Sequence, residues 1–123
     1  GITNLNKYCY KATCYETAKQ IAKRLKIKKS DYIVSFQSRL DNKWLRPFSD
    51  EIIKNQGKKG SKKILCFSPS FVADCLETII EIGDEYQEIF EKYGGEKVQL
   101  VESLNDSNMW VKCLHNMILE RTI

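Results

Sequence analysis

Apolar residues in the second half of the chain recur every three to four positions. Val72, Cys75, Leu76, Ile79, Ile82, Tyr86, Ile89 and Phe90 form the stripe of an amphipathic helix. The spacing predicts a helix that follows the Pro69–Ser70 turn and stops at Gly94–Gly95. The same period predicts a helix from Thr13 or Cys14 to Leu25, with Ala18, Ile21, Ala22 and Leu25 turned inward. A shorter one runs from a Ser49 cap to Gln56, ended by Gly57 and Gly60, and a last one from Asn108 or Met109 to Glu120. Between them, Asp31–Phe36, Lys63–Ser68 and Lys97–Glu102 are short apolar, β-branched and aromatic runs that read as buried strands. Gln37–Pro47 is irregular, with Asp41, Asn42 and Pro47 around Trp44. Alternating strands and helices predict an α/β fold: a three-layer αβα arrangement on a short parallel sheet, in one domain. In such sheets ligands collect beyond the carboxyl ends of the strands. The loops Gln37–Trp44, Ser68–Asp74 and Ser103–Asn108 therefore converge on one edge.

The polar side of the central helix changes this picture. From Asp74 to Glu91 there are seven carboxylates and no base. At about 100° per residue, Asp74, Glu77, Glu81, Glu85 and Glu88 fall within an arc of roughly 80°. Like charges three and four apart cost a helix roughly 0.2–0.5 kcal/mol per pair, so something should offset the row. A solvated face is one reading. A row of carboxylates that handles cations or protons is the other. The pattern leaves both open, but the position favours the second: Asp74 and Glu77 start at the binding edge, and Glu81, Glu85 and Glu88 lead away from it.

Composition narrows the partners. The formal net charge is +4, yet Phe71–Lys92, with seven acids and one lysine, carries −6, which leaves +10 on the remainder. Those bases sit mainly in Lys19–Lys29 and Lys54–Lys63, at helical spacing and without a nucleic-acid recognition motif, so no nucleic-acid partner is expected. No run approaches the ~18 apolar residues of a membrane span, and no secretory segment is present. The five cysteines are odd in number and scattered, which argues for a reducing, cytoplasmic setting. Cys9 and Cys14 form a C-x4-C pair without third and fourth ligands at a convincing spacing, so an iron–sulfur cluster is not expected.

Four blocks carry a family resemblance: Ser35-Phe36-Gln37-Ser38-Arg39; Trp44-Leu45-Arg46-Pro47 with Asp50-Glu51; Pro69-Ser70-Phe71-Val72-Ala73-Asp74-Cys75-Leu76-Glu77-Thr78; and Glu102-Ser103-Leu104-Asn105-Asp106. In order and spacing, from Tyr8 onward, the chain resembles the carboxy-terminal half of a bacterial ferrochelatase. The resemblance implies one half of a chelatase-like two-domain fold. In that family, ferrous iron is inserted into a porphyrin held between two α/β halves. It implies that Glu77 is the active-site glutamate, binding metal and removing pyrrole protons, with Asp74 in the same site. Glu81 and Glu85 match the acidic line to the surface, on a helix widened toward π geometry. Trp44 matches a residue at the lip of the porphyrin pocket, Gln37, Ser38 and Arg39 lie on the adjoining loop, and Phe71 supplies further aromatic wall. Cys75 stands where many members have histidine.

The chemistry asks for such groups. Metallating a porphyrin removes two pyrrole protons and delivers a divalent ion stripped of water, work for a carboxylate base and weak carboxylate exchange sites. The implied substrates are ferrous iron and protoporphyrin IX or coproporphyrin III, with no permanently bound cofactor. The family's Ser-Phe-His-Gly block is expected before Gly1, which makes this chain a fragment, inactive alone, whose partner is the enzyme's amino-terminal half. Peripheral membrane docking stays open. His115, in the last helix beside Leu114 and Met117, reads as a structural or surface residue. Two other readings stand beside this one: a non-enzymatic α/β module whose acidic helix binds cations or a basic partner, and a related cobalt or nickel chelatase.

Overall fold

A computed structural model of the chain describes residues 1–37 and 41–122. Helix α1 (Tyr10–Leu25) and a 3₁₀ turn (Lys29–Asp31) precede α2 (Ser49–Lys58), β1 (Lys63–Cys66), a π-helix (Glu77–Glu85), α3 (Tyr86–Lys92), β2 (Lys97–Leu100) and α4 (Asn108–Arg121). The two strands pair in parallel, Lys63 opposite Lys97 through Cys66 opposite Leu100. The expected α/β fold with a short parallel sheet is thus present. Helix α1 begins three residues earlier than expected, because Thr13 spends its hydroxyl on the Cys9 carbonyl and lies inside the first turn.

Asp31–Phe36 does not form the expected strand among the described residues. Only Phe36 pairs, bridging to Phe48: its N–H donates to the Pro47 carbonyl, and its own carbonyl accepts from Ser49 N–H, both at 2.9 Å. A β-prone run becomes a strand only where a neighbouring edge accepts it, and Ile33 stays half exposed. The same bridge explains why Ser49 does not cap α2. Phe36 already satisfies the first backbone donor, and the Ser49 hydroxyl pairs instead with Ser35 Oγ at 2.8 Å. Asp50 and Glu51 in the first turn and Lys58 in the last still complement the helix dipole.

The core lies between α2, the strands and the central helix: Ile53, Ile82, Tyr86, Phe90 and Val98, flanked by Ile64, Cys66, Ile89 and Leu100. Phe90 is fully enclosed. Gly95 follows because any Cβ there would run into the Phe90 ring. Burial pushes the Cys66 thiol up to about 11, so it stays protonated as a small core group. Helix α4 buries no residue, and among the described residues no helix is long and apolar enough to cross a membrane.

The central helix departs most from the 3.6 period. Val72, Leu76 and Ile79, placed in the apolar stripe by that period, are exposed. The buried column is instead Thr78, Ile82, Tyr86 and Phe90, each four residues from the last and each no more than 5% exposed. Four residues overshoot an α turn by about 40°. Bonds of the i→i+5 type, such as Tyr86 N–H to Glu81 O, widen the turn so that residues four apart nearly eclipse.

Candidate active site

The winding that stacks the buried column also stacks the acids one position before it. Glu77, Glu81 and Glu85 line one open groove of about 280 Å³ together with Leu76 and Ile80. Glu81 and Glu85 also line a second hollow of about 230 Å³, shared with Phe36, Gln37, Asp50, Tyr86 and Ile89. Glu88 lines neither, and is exposed on α3. Among the described residues, no three of His, Cys, Asp and Glu are grouped closely enough to cage a metal ion. The acids form a line and not a cage.

Asp74 stands outside the helix, which starts only at Glu77. Its carboxylate accepts from Asn105 Nδ2 at 2.9 Å, Thr78 Oγ1 at 3.1 Å and Ser103 N–H at 3.2 Å. Its own N–H donates to Asn105 Oδ1 at 2.9 Å. The Asn105 amide, then Ser103, hold the Asp74 carboxyl below its ordinary value. Asn105 reaches this pose with φ of +48°, a conformation asparagine tolerates better than most residues. The acid therefore fastens the loop after β2 to the start of the π-helix.

Glu77 is exposed, and its carboxyl is lowered by its own backbone N–H and then by the Cys75 thiol. It is ionised at neutral pH. Glu81, half-buried, accepts from Tyr86 OH through Oε1 and from Gln37 Nε2 through Oε2, both at 3.1 Å. Burial first, and the Glu81 charge second, raise the Tyr86 phenol above its usual range, so it remains a donor.

The side-chain amide of Gln37, which lines the second hollow, is engaged at both ends. Its Nε2 also donates to the Glu77 carbonyl at 3.0 Å, and its Oε1 accepts from Ser68 Oγ at 2.9 Å. Its backbone carbonyl accepts the Trp44 indole N–H at 3.0 Å, which ties the partly exposed Trp44 to the acidic helix. Phe71 is half-buried in the turn closed by its N–H to Ser68 O, and lines neither hollow. Ser38 and Arg39 lie outside the described residues. Leu76 and Ile80 are the groove residues that sequence reasoning missed, since a 3.6 period turns Leu76 inward.

The ferrochelatase family profile matches residues 2–122. The chain belongs to the ferrochelatase family. It is 43% identical over 121 residues to the ferrochelatase of Legionella pneumophila strain Corby, covering 98% of this chain and 37% of that protein. It is also 43% identical over 117 residues to that of Coxiella burnetii strain Dugway 5J108-111, covering 94% and 33%. A third ferrochelatase, from Pseudomonas fluorescens Pf-5, is 43% identical over 114 residues, covering 92% and 33%. The chain thus spans about a third of the length of the curated relatives it matches. Family membership agrees with the resemblance drawn from the four sequence blocks.

Proposed function

We propose that this chain supplies the metal-delivering wall of a ferrochelatase site, which inserts ferrous iron into protoporphyrin IX or coproporphyrin III. The observation that carries the reading is the line Glu77, Glu81, Glu85 in one groove, with the exposed Leu76 and Ile80 lining it too. The apolar side chains meet a macrocycle edge, while the carboxylates offer the incoming ion successive sites without caging it. Glu77, at the loop end of the line, takes the pyrrole protons or holds the ion transiently. Exposed, it is a weak base. A macrocycle laid over it removes water and raises its pKa toward that of a useful proton acceptor.

Asp74 serves the same site by fixing where the helix begins, and Trp44 borders the macrocycle. Phe71, Ser38 and Arg39 complete the porphyrin side in this reading. Iron is substrate, and the chain's own residues hold no permanent cofactor. The apolar side chains exposed on α4, such as Met109 at 87% and Ile118 at 65%, are surface for the enzyme's amino-terminal half to cover.

The test is a chimera in which this chain replaces the matched segment of the Legionella pneumophila ferrochelatase. Glu77→Gln should lower the metallation rate about 10²–10⁴-fold, while Glu88→Gln stays within about two-fold. An unchanged rate in Glu77→Gln would defeat the reading and leave a non-enzymatic acidic module.

A further inference from the structure

Gln37 sits on the loop assigned by resemblance to the porphyrin, yet its side chain is spent elsewhere. An amide has two N–H donors and one carbonyl acceptor, and the surroundings decide which end is which. Nε2 faces two acceptors, the Glu77 carbonyl at 3.0 Å and Glu81 Oε2 at 3.1 Å, while Oε1 faces the Ser68 hydroxyl at 2.9 Å. The flipped amide would set its oxygen against a carbonyl and a carboxylate, so only one orientation is satisfied.

We infer that Gln37, oriented by Ser68, is a positioning residue that holds Glu81 in line between Glu77 and Glu85 for cation transfer. The inference rests on the proposed use of that line, and moves Gln37 from the porphyrin pocket to the cation line. The choice of an amide has a physical reason. A lysine or arginine at this place would add a cation beside Glu81, whereas a neutral amide orients the carboxylate without itself neutralising it. The same amide bonds the Glu77 carbonyl, so one side chain from the segment after the Phe36 bridge registers two successive members of the acidic line. Tyr86 OH on Glu81 Oε1 fixes the other oxygen from the core side.

Manganese provides a probe that needs neither porphyrin nor turnover. Added to the 123-residue protein, Mn²⁺ should broaden the side-chain NMR signals of Glu77, Glu81 and Glu85. Gln37→Leu keeps the approximate volume and removes the donors. Broadening at Glu81 should then fall about ten-fold or more at equal Mn²⁺, the scale of one lost hydrogen bond to a charged group, with thermal unfolding little changed. Ser68→Ala, which frees the amide to rotate, should give a smaller fall in the same signal. If Gln37→Leu fails to fold, the Ser68→Ala result decides. Undiminished broadening at Glu81 in whichever variant folds overturns the inference. Absence of broadening along the line in the wild-type protein would instead defeat the proposed use of the line, and this inference with it. In the chimera, Gln37→Leu should raise the KM for ferrous iron several-fold and leave the KM for porphyrin within about two-fold. A rise confined to porphyrin would return Gln37 to the macrocycle pocket.

Discussion

Two columns run side by side along one helix, and they differ in what holds them. Thr78, Ile82, Tyr86 and Phe90 are buried, the last three in the core with Ile53 and Val98. Glu77, Glu81 and Glu85, each one position earlier, face open hollows. The buried column has packing to fix its period, whereas the acidic column is made of like charges and takes its spacing from that packing, with the Gln37 and Tyr86 bonds aiming Glu81 within it. The acids are therefore aligned by the core behind them. A local electrostatic penalty of a few tenths of a kcal/mol per pair is small beside the roughly 1.5–3 kcal/mol that each fully buried large side chain contributes.

That comparison breaks most sharply at the end of the buried column. Phe90→Ala should destabilise the protein by about 3–5 kcal/mol, measured as a lowered urea midpoint. It should also blur the Mn²⁺ response of the acids, although no acid has been touched. A loss below about 1 kcal/mol would mean that the core does not set the winding. A smaller effect is expected where the columns touch. Tyr86→Phe keeps the ring in the core and removes only the hydroxyl that bonds Glu81. Thermal denaturation should show a loss of about 1 kcal/mol, with the fold intact. Equal stability would show that the Tyr86 hydroxyl does not help to hold Glu81.

The helices and the two paired strands were legible from spacing, because burial of one face leaves a periodic trace in the sequence. The loops expected to converge do meet, through the bonds from Ser68 to Gln37 and from Asp74 to Asn105. The winding of the central helix was not legible in the apolar pattern: a 3.6 period puts Leu76 and Ile79 inside, and the structure exposes both. Only the resemblance to ferrochelatases pointed to a widened helix. The run Asp31–Phe36 has the composition of a strand, but its pairing depended on Pro47 and Phe48, residues that local pattern cannot connect to it. In the site, the acids were visible as a charge run. The work of Gln37 was hidden, since its partners Ser68, Glu77 and Glu81 lie 31 to 44 positions away.

The smallest effect sharpens the contrast between an acid that faces a groove and one that is fastened. Asp74 and Glu77 are three residues apart, yet Asp74 accepts three hydrogen bonds, led by Asn105, while Glu77 faces a groove. The Asp74 carboxyl is held below its ordinary value of 3.8, which means that the folded state prefers the ionised form. Its contribution to stability is then fully present above that ordinary value, and is lost as pH falls through the lower, folded one. Asp74→Asn should therefore lower the melting temperature most at neutral pH, with the gap from wild type closing in acid below about 3.8. Because the group is open to solvent, screening keeps the whole effect modest. Glu77→Gln should not reproduce this profile to the same degree, since fewer of the folded protein's bonds end on that carboxylate. A gap for Asp74→Asn that stays constant from neutral pH into acid would show that the Asp74 charge does not fasten the helix start, and would return this residue to the reacting groups.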